Sequence, residues 1–180
     1  MLTYKHPKAK TCEVCERVFV PDRMGQLVCR PACAMARVRQ AKKADRASIK
    51  ARKEAIKTLA ELKREAQTAM NRWIVQVRDA DKPCISCGRH HQGQWHAGHY
   101  LSRGSAPQHA LNPMNVWKQC APCNTYLHGN LIPYRVRLIE LIGLEAVEAM
   151  ENDNAPHKWT REGLIEVRDT YRAKLKELKC

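Results

Sequence analysis

The sequence predicts an α+β protein in which small cysteine-stapled modules are connected by helices. Eight of its nine cysteines form four short-spaced pairs, at 12/15, 29/33, 84/87 and 120/123. No glycine or proline occurs between Pro31 and Pro83, which favours a long helical stretch. A single phenylalanine in 180 residues leaves little material for one large hydrophobic core. We therefore divide the chain into four segments: 1–33, 34–82, 83–133 and 134–180.

The charge of the chain predicts a polyanionic partner. The formal net charge is +14 and the pI is about 9.6, and nucleic acid is the usual partner of such a protein. A basic protein that only binds acidic surfaces is the alternative. The sequence shows neither an apolar signal peptide nor a run of membrane-spanning length, so we expect a cytoplasmic protein with no membrane partner. In a reducing cytosol the paired cysteines indicate metal ligands rather than a disulfide framework.

The first segment, residues 1–33, is predicted to be a small zinc module. Cys12-x2-Cys15 is followed after thirteen residues by Cys29-x3-Cys33, a spacing that suits a four-cysteine structural Zn²⁺ site. The apolar pairs 19–20 and 27–28 predict a short hairpin around the turn at 21–25. A structural cap and a DNA-contacting finger are both compatible with this pattern.

The second segment, residues 34–82, is predicted to be helical from about 34 to 80, as one long helix or as two with a break. Apolar residues recur there at spacings of three, four and seven, which gives one apolar stripe. The stripe consists of Ile49, Ile56, Leu59, Leu62, Ala66, Met70, Trp73 and Val77. Either a dimer seam or packing against the next module would bury it.

The first half of this helical segment is strongly basic. Its cations are Arg37, Arg39, Lys42, Lys43, Arg46, Lys50, Arg52 and Lys53. Such a run is often only a solvated face, but here it follows a zinc module in a basic chain. We therefore interpret it as a DNA-binding surface whose phosphate contacts position the protein without reading sequence.

The third segment, residues 83–133, carries the candidate metal-binding and catalytic residues. Cys84-x2-Cys87 and Cys120-x2-Cys123 predict a second structural Zn²⁺ site. A closed four-cysteine site has no open coordination position, so any catalysis must occur elsewhere. Between the two cysteine pairs, His99 precedes a short strand-like run, and a loop rich in Gly, Ser and Pro follows it. Asn115 then begins a second strand candidate. A helix is expected near Asn124, directly after the second pair.

This strand–loop–strand–helix pattern resembles the HNH (ββα-metal, His-Me finger) endonucleases. The matching residues are His99, Asn115 five residues before Cys120, and Asn124 directly after Cys123. The resemblance implies that His99 is the general base, that Asn115 holds the loop by hydrogen bonds, and that Asn124 ligates a catalytic metal. The function it implies is metal-dependent hydrolysis of DNA.

A closer resemblance covers most of the chain. Ala97-Gly-His-Tyr-Leu-Ser-Arg-Gly104, followed by Gln119-Cys-x2-Cys-Asn124-x-Tyr-Leu-x-Gly-Asn130, is similar to the lambdoid phage NinG (Rap) family of recombination endonucleases. The resemblance implies a structure-selective endonuclease that acts on D-loops and Holliday junctions during phage recombination, in the host bacterial cytoplasm. Cutting both strands of a junction favours a homodimer, with phage or host recombination proteins as further partners.

One departure concerns the catalytic metal, expected to be Mg²⁺ or Mn²⁺. Many HNH enzymes carry Asp or His immediately before the catalytic histidine, where this chain has Gly98. His96, His128 and Asn130 are the alternative ligand candidates, because no Asp or Glu occurs between Asp81 and Glu140. The additional candidates for contacts with DNA phosphates are Arg103 and Lys118.

The fourth segment, residues 134–180, is predicted to be helical with a break near Gly143. A final helix should begin after Thr160 as N-cap, with Trp159 and Leu164 as a hydrophobic staple and an apolar face that reaches Leu178. Packing or dimerisation is the expected role of these helices, and Cys180 has no assigned role. Two rival functions remain for the whole chain: a non-catalytic zinc-containing DNA-binding protein, and an adaptor for recombination proteins.

Overall fold

The computed structural model describes residues 8–177, so the predictions for Leu178 and Cys180 lie outside the described residues. The chain divides after Lys57 into two units. The described residues form helices and two small antiparallel sheets, so the α+β prediction is confirmed. Among residues 8–177, no helix has both the length and the apolar character needed to cross a membrane.

The first unit contains a two-stranded sheet and one long helix. Strand β1 (Lys10–Thr11) pairs with β2 (Val18–Phe19), and the Cys12–Cys15 turn connects them. The predicted hairpin around residues 21–25 is therefore wrong, because the tight turn at the first cysteine pair reverses the chain earlier. Helix α1 (Pro31–Ala55) begins with a proline at its first turn, where the missing N–H costs no hydrogen bond.

The predicted helical segment contains a break at residues 56–58. Helix α2 (Leu59–Trp73) starts with a capping box, in which Thr58 and Glu61 exchange side-chain-to-backbone hydrogen bonds. A π-helical turn (Ile74–Arg78) continues α2. The apolar stripe is buried only from Leu62 onwards, whereas Ile49 and Ile56 are exposed.

The core of the second unit lies on both faces of one hairpin. Strand β3 (Trp95–His99) pairs antiparallel with β4 (Val116–Cys120), from Trp95 opposite Cys120 to His99 opposite Val116. Successive strand residues face opposite sides. Val116 accordingly joins the cluster formed with α2 and α5 (Arg161–Glu177), and Trp117 joins the cluster formed with α3 (Leu131–Ile142) and α4 (Leu144–Asn152). The hairpin is thus held between two helical layers.

The C-terminal helices follow the local signals in the sequence. Helices α3 and α4 meet at Gly143, whose φ of +86° suits glycine. The Thr160 hydroxyl accepts a hydrogen bond from the Gly163 N–H at the start of α5, and Leu164 is buried with Trp159 packed against the same cluster. The predicted break, cap and staple are therefore present.

Candidate functional site

The two cysteine clusters fit tetrahedral zinc. Within each set of four, the sulfur atoms all lie within 4.8 Å of one another. A Zn–S bond of about 2.3 Å in a tetrahedron requires sulfur–sulfur distances of about 3.8 Å. The distances of 3.8 Å between Cys29 and Cys33 and of 3.9 Å between Cys87 and Cys120 agree with this value. Both predicted four-cysteine sets are therefore brought together, as Cys12, Cys15, Cys29 and Cys33, and as Cys84, Cys87, Cys120 and Cys123.

The second cluster is prepared for a thiolate ligand at Cys84. Burial alone raises the pKa of the Cys84 thiol, but hydrogen bonds from the backbone N–H groups of Cys120, Cys87 and Ser86 outweigh burial and lower it. The Cys120 N–H lies 3.4 Å from the Cys84 sulfur. N–H groups directed at sulfur favour the charged form that a metal binds. Because β4 ends at Cys120, opposite Trp95, this cluster also fixes one end of the β3–β4 hairpin, and His99 lies at the other end.

His99 is held in one orientation by a backbone carbonyl. Its Nε2 lies 3.1 Å from the Ala110 carbonyl oxygen. A carbonyl can only accept, so the neutral ring carries its proton on Nε2 and has its lone pair on Nδ1. Burial lowers the pKa of His99, the Ala110 carbonyl raises it, and the positive charge of Arg103 lowers it further, with a net lowering. The ring is therefore neutral at pH 7, with Nδ1 able to accept a proton.

Asn115 fastens the loop that supplies this carbonyl. Its fully buried side chain donates from Nδ2 to the carbonyl oxygens of Leu101 and His109, and its Oδ1 accepts from the Leu101 N–H. The backbone adds a bond from the Tyr100 N–H to the Asn115 carbonyl. Both ends of the loop between β3 and β4 are thus tied to one amide, next to the Ala110 carbonyl that orients His99.

His96 and Asn124 are in direct contact. The Asn124 Nδ2 atom lies 3.0 Å from His96 Nδ1, and both residues line an open cleft of about 380 Å³ with Asn71, Arg72 and Gln76. The Nε2 atom of His96 is buried and lacks a hydrogen-bond partner. A buried polar atom without a partner costs about 1–3 kcal/mol, so this atom is suited to contact a ligand. His99 is three residues further along β3, outside the lining of this cleft.

The other two ligand candidates lie apart from this cleft. The π-helical turn Pro122–Tyr126 ends before His128, which is exposed and has a φ of +48°. The helix expected near Asn124 therefore ends before His128, and the two side chains do not share a helical face. Asn130 directs its Nδ2 to the Cys123 sulfur at 3.5 Å, so it contacts the cysteine cluster.

Gly98 has a steric reason to lack a side chain. A Cβ atom there would lie 2.0 Å from the Gln119 side-chain oxygen. Gln119 is fully buried and donates to Ser86 Oγ and to the Gly129 carbonyl, so it has little room to move. No residue with a side chain fits at position 98 in this packing, so the Asp or His that many HNH enzymes carry there is sterically excluded.

The basic residues singled out in the sequence differ in their exposure. The cations of α1 are exposed in the structure: Arg37, Arg39, Lys42, Lys43, Arg46, Lys50, Arg52 and Lys53. Arg37 forms an ion pair with Glu13 at 2.8 Å. Arg103 is exposed beside the His99 loop, whereas Lys118 is buried, donates to the Ala80 carbonyl and lies over the Trp95 ring. The ammonium group of Lys118 is thus already engaged inside the protein.

The sequence did not predict the residues outside the β3–β4 hairpin that stabilise it by side-chain contacts. Arg78 donates to the carbonyl oxygens of Pro113 and Val116, pairs with Asp79 and lies 4.0 Å over the Trp117 ring. Burial raises the pKa of Asp79, but Arg78 and Lys82 outweigh burial and lower it, so the carboxylate is charged. No spacing rule signals such a bridge, because it joins residues more than 30 positions apart.

Comparison with known proteins identifies the family. The family model described as Bacteriophage Lambda NinG protein matches residues 4–180. Protein ninG of Salmonella phage P22 is 38% identical over 186 residues, covering 93% of this chain and 91% of the relative. Protein ninG of Escherichia phage lambda is 37% identical over 194 residues, covering 96% of this chain and 95% of the relative. The chain belongs to the NinG family.

The residues that carry the NinG resemblance form one part of the fold. Residues 97–104 form the end of β3 and the start of the loop behind His99, and residues 119–130 form the end of β4 and the π-helical turn with Asn124. No solved structure matches the chain. The geometry around His99 therefore has to be interpreted from its own contacts.

Proposed function

We propose that this NinG-family protein is a metal-dependent endonuclease that hydrolyses phosphodiesters at branched DNA, such as D-loops and Holliday junctions, during phage recombination. The observation that carries the proposal is the His99–Ala110–Asn115 arrangement. A histidine with its Nε2 proton held by a loop carbonyl, and the loop itself held by a buried asparagine, matches the roles that the HNH resemblance assigns to His99 and Asn115. A DNA-binding protein without catalysis does not need an oriented, neutral histidine.

In the proposed reaction, His99 acts as general base. Its Nδ1 lone pair takes a proton from a water molecule while the water oxygen attacks phosphorus in line. The new P–O bond forms as the bond to the 3′ oxygen breaks, and the leaving oxygen takes up a proton from solvent. The hydrogen bond to the Ala110 carbonyl keeps the ring oriented and stabilises the imidazolium that forms. Its lowered pKa keeps the base unprotonated at neutral pH.

A divalent cation, Mg²⁺ or Mn²⁺, would neutralise charge on the phosphate and the leaving oxygen when it is bound. The proposed holder of this cation is the His96–Asn124 pair, whose side chains are in contact and share a cleft. The unpartnered Nε2 of His96 is the observation that fits a ligand there. Within residues 8–177 no carboxylate lines this cleft, so water and substrate phosphate would complete the coordination.

The basic face of α1 is proposed to bind the DNA backbone. Its cations are exposed along a 25-residue helix, and phosphate contacts of this kind supply affinity without base specificity. A preference for branched DNA would then rest on shape and deformability. A homodimer would place two such sites on the two strands of a junction, and other recombination proteins are further proposed partners.

The test is cleavage of a labelled four-way junction and of a linear duplex of the same sequence, with Mg²⁺, with Mn²⁺ and without added divalent cation. We expect metal-dependent cuts near the branch that His99→Ala abolishes while DNA binding persists. His90→Ala is the matched control, because His90 is an exposed histidine of the same unit. Binding without cleavage under every condition would instead favour the non-catalytic DNA-binding function.

A further inference from the structure

A second groove lies on the polar face of α2. Its volume is about 590 Å³. The residues that line it are Ala60, Lys63, Arg64, Gln67, Thr68, Asn71, Arg103 and Gly104. Six of them come from one helix at spacings of three and four, which places them on one face of α2. The face of α2 opposite the buried Leu62–Ala66–Met70 stripe therefore forms one wall of the groove.

The charge of this groove is entirely positive. Lys63, Arg64 and Arg103 contribute three cations, and the lining contains no carboxylate. Within residues 8–177 none of these three cations forms an ion pair, although acidic side chains are available elsewhere on α2. Arg168 and Arg172 of α5, by contrast, both pair with Glu65. Three unpaired cations facing one concavity repel one another unless an anion occupies it.

A pair of amides, the buried Gln67 and the partly exposed Asn71, lies in the lining of the groove. Gln67, which is 6% exposed, donates from Nε2 to Asn71 Oδ1 at 2.8 Å, and its own Oε1 is buried with no hydrogen-bond partner. The two amides can exchange roles by rotating about their terminal bonds, which leaves one N–H between them intact. In that arrangement Gln67 Nε2 becomes the unpartnered atom, and a ligand oxygen would satisfy it.

The groove and the candidate metal cleft share Asn71 in their linings. Asn71 lines both, and beyond it the cleft wall continues along α2 and its π-helical turn with Arg72, Val75 and Gln76 to His96 and Asn124. Arg103, four residues after His99 in the sequence, also lines the groove. A polymer with regularly spaced anions could occupy both concavities, whereas a single small anion would occupy only one.

We propose that the α2 groove binds the sugar–phosphate backbone of the DNA strand next to the cut phosphate. Lys63, Arg64 and Arg103 contact its phosphates, and Gln67 and Asn71 donate amide hydrogen bonds to it. The inference rests on the proposed nuclease function for the position of the cut, but the groove's DNA binding is measurable without cleavage. The groove makes α2 a positioning element, in addition to the apolar packing of its other face.

The experiment is equilibrium binding of a fluorescent four-way junction to the full-length zinc-loaded protein, over a salt series and without added divalent cation. The variants are Lys63→Ala/Arg64→Ala and, as control, Lys158→Ala/Lys176→Ala, which removes the same charge from exposed positions. Each lost phosphate contact lowers the slope of log affinity against log salt by about 0.9. We expect the groove variant to lose about 1.8 in slope and to bind roughly 10–60-fold more weakly at 0.1 M salt than the control.

A second variant separates charge from folding. Asn71→Asp keeps the acceptor for Gln67 Nε2 of the unrotated amide pair, removes the Asn71 donor, and adds a negative charge at the residue that lines both the groove and the cleft. We expect it to melt close to wild type and to bind DNA more weakly. If the Lys63/Arg64 variant retains the slope and affinity of the control, the groove assignment is wrong even if the wild type cleaves junctions. If the wild type binds through the groove but never cleaves, the nuclease proposal fails and the groove stands.

Discussion

Replacing Asn115 with alanine tests the connection between the loop and the catalytic histidine. The side chain is fully buried and makes three hydrogen bonds to the backbone of Leu101 and His109. At about 1 kcal/mol net for each bond, the substitution should cost about 3 kcal/mol of folding free energy. For a chain of this size that corresponds to a fall of roughly 6–12 °C in Tm.

The same substitution should affect cleavage more than its cost in stability suggests. Without Asn115 the His109–Ala110 segment loses its fixed position, and His99 loses the carbonyl that sets its tautomer. A general base contributes roughly 100-fold or more to the rate, so we expect a loss of at least that size at temperatures where the variant is folded. Junction binding should change much less than cleavage, because Asn115 itself is buried and Arg103 is the one proposed groove cation that lies in the released loop.

Thermal unfolding and single-turnover cleavage at about 20 °C, where a variant destabilised to this extent stays folded, measure the two effects. Asn154→Ala is the matched control, since Asn154 is exposed and should stay within about 0.5 kcal/mol of wild type. Asn115→Asp keeps the acceptor for the Leu101 N–H and points charge at two carbonyl oxygens, so it should destabilise at least as much as alanine. An Asn115→Ala protein that melts with the Asn154→Ala control and cleaves at the wild-type rate would refute this reasoning.

Three further predictions concern metal content, pH and capping. Zinc analysis should give two ions per chain, with one lost in Cys29→Ser and one in Cys120→Ser; retention of both ions in either variant contradicts the cluster assignment. Burial lowers the pKa of His99, so this imidazole binds a proton more readily in the unfolded chain than in the folded chain. Protonation of His99 should therefore reduce the folding stability as the pH falls below about 6.5. An NMR titration should place the His99 midpoint below 6.5 and find it raised in Arg103→Ala, and an unmoved midpoint excludes the influence of Arg103. Thr58→Ala should cost about 1 kcal/mol in urea unfolding, compared with little change for the exposed, mid-helix Thr170→Ala; equal effects argue against the capping box.

Local signals in the sequence predicted the parts of the fold that local chemistry decides. Cysteine spacing identified both clusters, Gly143 marked the α3–α4 break, and Thr160 marked the start of α5. The turn at Cys12–Cys15 and the early end of the π-helical turn before His128 were missed. In both places a turn beside a clustered cysteine pair overrides the apolar or helical pattern around it.

Contacts between distant residues decided what the sequence did not predict. In the sequence, the polar face of α2 has the pattern of an ordinary solvated helix surface. In the fold, Arg103 from the loop after β3 lies against this face and forms part of the groove. Lys118 looked like a phosphate contact, but a strand buried on both faces directs its amine to the Ala80 carbonyl. Lysine and arginine are mostly exposed, as the cations of α1 are, but the exposure of a single cation such as Lys118 depends on tertiary packing.

The His96–Asn124 contact limits how the proposed cation is held. If Asn124 donates to His96 Nδ1, the neutral ring carries its proton on Nε2 and cannot ligate a metal, so only the Asn124 oxygen is available. If the amide is rotated, its oxygen accepts from Nδ1–H and Nε2 becomes the ligand, with Asn124 fixing the tautomer. The second arrangement also satisfies the buried, unpartnered Nε2, so we favour it. While this hydrogen bond is kept, the pair supplies one ligand rather than two. With no side chain at Gly98 and no carboxylate from 82 to 139, affinity for Mg²⁺ should be weak until substrate phosphate joins the site.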